Sequence, residues 1–159
     1  MSMHTWLECK IRYEKLMENG MNKKVTEPYL VDALSFTEAE ARIIEEMTPF
    51  ISGEFTISDI KRANYSELFP SDEESADRWF KCKLIFITLD DKSGAEKKAS
   101  TQVLVQAADL RDAVKKLDEG MKGTMADYQI GMVSETPLMD VYPYSAEPND
   151  KPEFDPSKA

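Results

Sequence analysis

Six residues have the types and spacing to act on a partner: Trp6, Lys10 and Arg12, and again Trp79, Lys81 and Lys83. In an alternating strand Trp6, Glu8, Lys10 and Arg12 share one face, while Leu7, Cys9, Ile11 and Tyr13 share the other. An aromatic ring with cations two or four residues away offers a stacking surface and phosphate contacts, the means by which sheets hold single-stranded nucleic acid. Lys23-Lys24 and Lys97-Lys98 add paired cations to the neighbouring hairpins. Plainer explanations compete. A tryptophan that opens a strand packs against other elements, and lysine on a strand is ordinary surface or edge protection. Glu8 interrupts the first stripe, and Ile85 and Ile87 turn the second apolar, which points to partial burial of this face.

Other chemistries find less to work with. His4 is the one histidine and lies beside the N-terminus, so a serine or cysteine hydrolase would lack its usual base. The glycine-rich phosphate loops, Gly-x-x-x-x-Gly-Lys-Ser/Thr and Gly-x-Gly-x-x-Gly, do not occur. Cys9 and Cys82 stand at matching places on apolar strand faces and read as small buried residues. They would be neighbours only if the two strands met, and a disulfide would further require the right Cα separation. Carboxylates gather at Asp72-Glu73-Glu74, at Asp90-Asp91 and on a helix at Glu38, Glu40, Glu45 and Glu46, without the spacing of a calcium loop. No catalytic residue, cofactor or metal is expected from these patterns.

The chain has 159 residues and a formal charge of −10, enough for one ordinary domain or two very small ones. That charge opposes nonspecific coating of nucleic acid or anionic membrane. It is unevenly spread, because Asp72, Glu73, Glu74, Asp77, Glu147, Asp150, Glu153 and Asp155 sit in two short stretches. A local basic patch therefore remains compatible with it. Apolar runs are only a few residues long, so no membrane-spanning helix is expected. The N-terminus lacks a secretory pattern, and two cysteines fit a reducing cytoplasm.

The elements that must position these residues come in duplicate. Trp6, Cys9 and Lys10 match Trp79, Cys82 and Lys83 at an offset of 73. Leu30-Val31-Asp32-Ala33 matches Leu104-Val105-Gln106-Ala107 at 74, as do Ala39, Ile43 and Met47 with Ala113, Leu117 and Met121. The offset returns to 73 for Phe55, Ile57 and Ile60 against Tyr128, Ile130 and Val133, and for Glu67-Leu68-Phe69-Pro70 against Asp140-Val141-Tyr142-Pro143. Each copy reads strand, turn, strand, helix, strand. Asn19-Gly20 signals the first hairpin, Ser35-x-x-Glu38 caps the first helix and Asp109 the second. The expected fold is α+β: two tandem ββαβ repeats packed about a pseudo-two-fold axis, mostly antiparallel, with one main helix per repeat. The repeats span 5–70 and 79–143, joined by an acidic linker at 71–78 and followed by a flexible proline-rich tail at 144–159.

TWLECKIRYEK, VTEPYLVDALSFTEAEARIIEEM and FTISDIKRANYSELFP resemble an uncharacterised family, a domain of unknown function seen in gut Bacteroidetes. The resemblance runs from Thr5 to Pro143 and implies a bacterial, cytoplasmic protein without naming an activity. The residues favour a non-catalytic binding or adaptor protein, and its most defined form binds single-stranded nucleic acid through the six residues above. The alternative is a small-molecule-binding protein or enzyme using a cleft between the repeats, with Tyr13, Tyr29, Tyr65 and Tyr128 as polar handles. Partners are an unknown protein or a single-stranded nucleic acid, without membrane, and a homodimer is compatible.

Overall fold

The computed structural model describes residues 5–124 and 127–143. His4 and the expected tail at 144–159 lie outside the described residues. In chain order the elements are β1 (Trp6–Leu16), β2 (Asn22–Asp32), α1 (Phe36–Met47), β3 (Phe55–Ala63), β4 (Glu67–Phe69), β5 (Arg78–Leu89), β6 (Glu96–Ala107), α2 (Leu110–Gly120), β7 (Tyr128–Glu135) and β8 (Asp140–Tyr142). The architecture is α+β, with mostly antiparallel sheets and two helices.

Two compact units emerge, and their bounds differ from the expected repeats at 5–70 and 79–143. Unit one comprises residues 5–63 with 140–143, and unit two comprises Asn64–Met139. The sheet of unit one has the order β3-β1-β2-β8, and that of unit two β4-β6-β5-β7. β8 therefore runs parallel to β2 along Tyr29–Val31, and β4 runs parallel to β6 along Val103–Val105. The short strand that closes each expected repeat is thus added to the sheet built mainly from the other expected repeat. Residues 71–73, expected as linker, belong to unit two: the Ser71 N–H donates to Gln106 Oε1 at 2.9 Å, and Lys116 Nζ donates to Ser71 Oγ and Glu73 Oε1 at 3.1 and 2.8 Å.

Strand alternation makes the two cores. In unit one, Leu7, Cys9, Ile11 and Val31 pack beneath Ala39, Ile43 and Met47 of α1. In unit two, Phe80, Cys82, Leu84, Val103 and Val105 pack beneath Ala113 and Leu117 of α2. Full burial of one such Leu, Ile or Phe contributes roughly 1.5–3 kcal/mol. Both helices start with reciprocal caps. Ser35 Oγ accepts from the Glu38 N–H at 3.1 Å, and Glu38 returns a carboxylate oxygen to the Leu34 N–H. Asp109 and Asp112 repeat this, with Asp112 accepting from the Ala108 N–H at 2.9 Å. These bonds satisfy N–H groups that a helix start otherwise leaves open. At the first hairpin only Gly20 is left-handed (φ 83°), so Asn19-Gly20 forms no two-residue turn. The strands are joined by residues 17–21, closed by a Gly20 N–H to Met17 carbonyl bond of 2.9 Å.

A cation at one matching helix position secures each added segment. Arg42 donates to the Asp32 carbonyl and, at 2.9 Å, to the Pro143 carbonyl just past β8. Its counterpart Lys116 holds Ser71 and Glu73 just past β4 and sits 3.0 Å from Asp112. Tyr142 of β8 stacks on Tyr29, with ring centroids 6.1 Å apart. Phe69 of β4 lies so near Gly120 that a Cβ there would come within 2.9 Å of the ring.

That approach sets an expected outcome for Gly120→Ala. Alanine gains up to about 1 kcal/mol of helix propensity, but overpacking against Phe69 costs about 1–3 kcal/mol. Urea unfolding should show net destabilisation of about 1 kcal/mol, and a smaller effect in a Phe69→Leu background. An equal effect in both backgrounds would show that the ring contact is not the cause.

Candidate binding surface

Trp6 and Trp79 open β1 and β5 on the sheet faces turned away from the helices, as alternation requires. Both are buried in the folded chain, at 4% and 5% exposure. Stacking needs an open ring face, and these indoles present almost none. Lys10 and Lys81 are half-buried, while Arg12 and Lys83 are exposed. Trp6, Lys10 and Arg12 belong to unit one, and Trp79, Lys81 and Lys83 to unit two. Ile85 and Ile87 are half-buried, so the apolar stretch of this face is partly covered.

Strand register shows what surrounds each cation. On the outer face of unit one, Trp6 lies opposite Asp32, Glu8 opposite Lys61, Lys10 opposite Asp59, and Glu14 opposite Lys24. The same register positions in unit two are Trp79 opposite Gln106, Lys81 opposite Ser134, Lys83 opposite Met132, and Ile87 opposite Lys98. All four carboxylates of the first face thus have uncharged or basic counterparts on the second: Glu8 becomes Lys81, Glu14 becomes Ile87, Asp32 becomes Gln106 and Asp59 becomes Met132. The first face balances its charges across strands. On the second, Lys81, Lys83 and Lys98 meet a carboxylate only at Glu96, opposite Leu89 at the hairpin end. Sequence reading found Lys81 and Lys83 but assigned Lys98 only to a hairpin; its register opposite Ile87 places it on the same face.

The tyrosines are mostly engaged. Glu27 accepts from the Tyr13 hydroxyl at 2.9 Å and the Tyr29 hydroxyl at 3.3 Å, and its second oxygen pairs with Lys15 at 3.3 Å. Burial, reinforced by the bond to Glu27, pushes the Tyr13 phenol up to about 12. Burial and the charge of Glu27 raise Tyr29 as well. Burial, then Asp140 and Glu46, push Tyr142 up to about 12. Tyr128 donates to Asp118 at 3.4 Å. Cys9 and Cys82 are free thiols, each within the core of its own unit. Burial raises Cys82 to about 11, and burial with the nearby charges of Glu8 and Asp59 raises Cys9 to about 12. Among the described residues no group of three or more His, Cys, Asp or Glu is placed to hold a metal.

Each unit carries a cleft. In unit one a cleft of about 720 Å³ lies at the far end of the β1–β2 hairpin, with Arg12, Tyr13, Glu14, Lys24, Glu54 and Phe55 among its lining residues. In unit two a cleft of about 690 Å³ lies beside Phe69 and Gly120, where Lys116 is already paired. Among the described residues no helix is long and apolar enough to cross a membrane.

Comparison with known proteins agrees on one point. The family described as Domain of unknown function (DUF4494) matches residues 5–144, and the chain belongs to that family. No curated protein and no solved structure matches the chain.

Two outcomes follow from the buried thiols and phenols. A thiol without thiolate character and without solvent access is inert. At pH 8 Cys9 and Cys82 should resist Ellman's reagent in the folded protein and react fully in urea; rapid native labelling of either would contradict its burial. The phenols are held neutral, with folded pKa values above the unfolded value near 10, so their contribution to stability is complete below pH 10 and is lost as pH rises toward 12. The urea midpoint should fall over that window, and Tyr142→Phe should fall less than wild type.

Proposed function

We propose that this DUF4494 chain is a non-catalytic binding protein that contacts single-stranded nucleic acid through the outer sheet face of unit two. The observation that carries the reading is the replacement, position by position, of all four carboxylates found on the matching face of unit one. On a chain of charge −10, a sheet face with Lys81, Lys83 and Lys98 and a carboxylate only at its tip is the surface that favours a polyanion. Of the six residues singled out in the sequence, Lys81 and Lys83 make the phosphate contacts, joined by Lys98. Lys10 and Arg12 contribute less, because Asp59 and Glu14 lie beside them. Trp6 and Trp79 act as buried packing, leaving Ile85, Ile87 and Met132 as apolar surface for bases. An internal duplication accounts for the two related ββαβ sets, of which the second has diverged toward binding. The free thiols suit a bacterial cytoplasm.

The test uses labelled oligo-dT and oligo-U, read by fluorescence anisotropy, because buried indoles are poor reporters of stacking. Three phosphate contacts on a single strand predict that log affinity falls by about two per decade of salt. The double variant Lys83→Glu, Lys98→Glu should weaken binding by about tenfold or more, whereas Arg12→Glu with Lys24→Glu should change it little. Absence of salt-sensitive binding at low salt would sink the proposal. A second reading rests on unit one, whose cleft falls in the size range that takes small organic ligands.

A further inference from the structure

We propose that the cleft in unit one binds a short unblocked peptide as an added strand, an inference that rests on the second reading above and is independent of the nucleic-acid reading. β1 runs to Leu16, but its neighbour β3 begins at Phe55, opposite Tyr13. Over Glu14–Leu16 the backbone groups directed away from β2 have no strand beside them. An open strand edge of this kind forms hydrogen bonds with an extended chain laid along it. Glu14 and Leu16 of this stretch line the cleft together with the loop residues Ser52, Gly53 and Glu54. Three extended residues span about 10 Å, the length of Glu14–Leu16, where Glu14 and Leu16 direct their backbone groups to the open side.

The side chains define the ends of the occupant. Arg12 and Lys24 line the cleft as cations, Glu14 and Glu54 as carboxylates, and none of the four makes an ion pair among the described residues. A ligand carrying both an ammonium and a carboxylate answers both signs at once, whereas a plain anion would meet Glu14 and Glu54 as well. Tyr13 and Phe55 supply aromatic surface for a middle side chain. These features together describe a zwitterionic peptide of about three residues with an apolar centre. On β5 the positions matching Arg12 and Glu14 are Ile85 and Ile87, so this pair of charges is found only in unit one among the described residues.

The experiment is an amide proton–nitrogen NMR titration of the full chain with the tripeptide Ala-Phe-Ala at millimolar concentration. Saturable shifts are expected at residues 12–16, 22–24 and 52–56. Acetylated and amidated Ala-Phe-Ala should bind about tenfold more weakly through loss of two rim charge pairs. Methylation of the phenylalanine peptide nitrogen should weaken binding by removing a backbone donor. In the double variant Arg12→Gln, Lys24→Gln, whose folding the same spectra report, blocking the peptide's carboxylate should no longer matter. Shifts that are absent, scattered or centred in unit two would overturn the proposal. So would equal binding of blocked and unblocked peptide, or binding of free phenylalanine as tight as the tripeptide. None of these outcomes bears on Lys83 and Lys98, so the two proposals fail separately.

Discussion

Each sheet depends on a three-residue parallel strand that comes from far away in the chain. β8 covers the open side of β2 only along Tyr29–Val31, and β4 covers β6 only along Val103–Val105. A few backbone bonds of about 1 kcal/mol net cannot by themselves hold so short a segment. The helices supply what is missing: Arg42 of α1 and Lys116 of α2 reach the residues that follow β8 and β4. Aromatic contacts complete the attachment, by stacking of Tyr142 on Tyr29 in one unit and by the close seat of Phe69 under Gly120 in the other. The fully buried Leu30 and Leu104 lie directly beside these strands, so the outer as well as the inner layer of each sheet relies on their placement.

Much of this was legible in the sequence because it is local. Period-two alternation located β1 and β5 and chose Leu7, Cys9, Phe80 and Cys82 as inward residues, and the cap signatures at Ser35 and Asp109 fixed both helix starts. What the pattern cannot carry is the identity of a partner strand. Glu67-Leu68-Phe69 and Asp140-Val141-Tyr142 read as the end of their own repeats, yet each pairs in the other sheet. Alternation says which face a residue occupies and nothing about which edge receives the strand. Arg42 and Lys116 match at one helix position, but so do Glu38 with Asp112 and Glu45 with Glu119, so the pair did not single itself out in the sequence.

The candidate surface was half legible for a similar reason. Parity along a strand correctly grouped Trp79, Lys81 and Lys83, but the charge of a face is a property of several strands in register. Asp59 lies opposite Lys10 and Met132 opposite Lys83 because a bulge in β3 and in β7 sets those pairings. Parity also says nothing of depth. Trp6 and Trp79 share a face with exposed cations and are nevertheless buried, so parity alone does not tell which part of that face is open.

The edge strands of the two sheets also differ in charge. The edge strand β3 carries Asp59, Lys61 and Arg62, charges that discourage pairing with another chain. In β7 the matching positions are Met132, Ser134 and Glu135, and Tyr128 through Ser134 carry no charge at all. With Ile130 and Met132 both exposed, such a strand would invite edge-to-edge association if it were flat. It is not flat, because the register shifts between Lys83 and Leu84 and leaves Gly131 as the extra residue. A bulge breaks the alternation of the outer edge in its middle and adds twist. A Cβ at Gly131 would come within 2.9 Å of Cδ1 at the end of the Ile85 side chain, which would have to turn aside. The bulge that carries Gly131 beside Ile85 is therefore also what interrupts the uncharged edge.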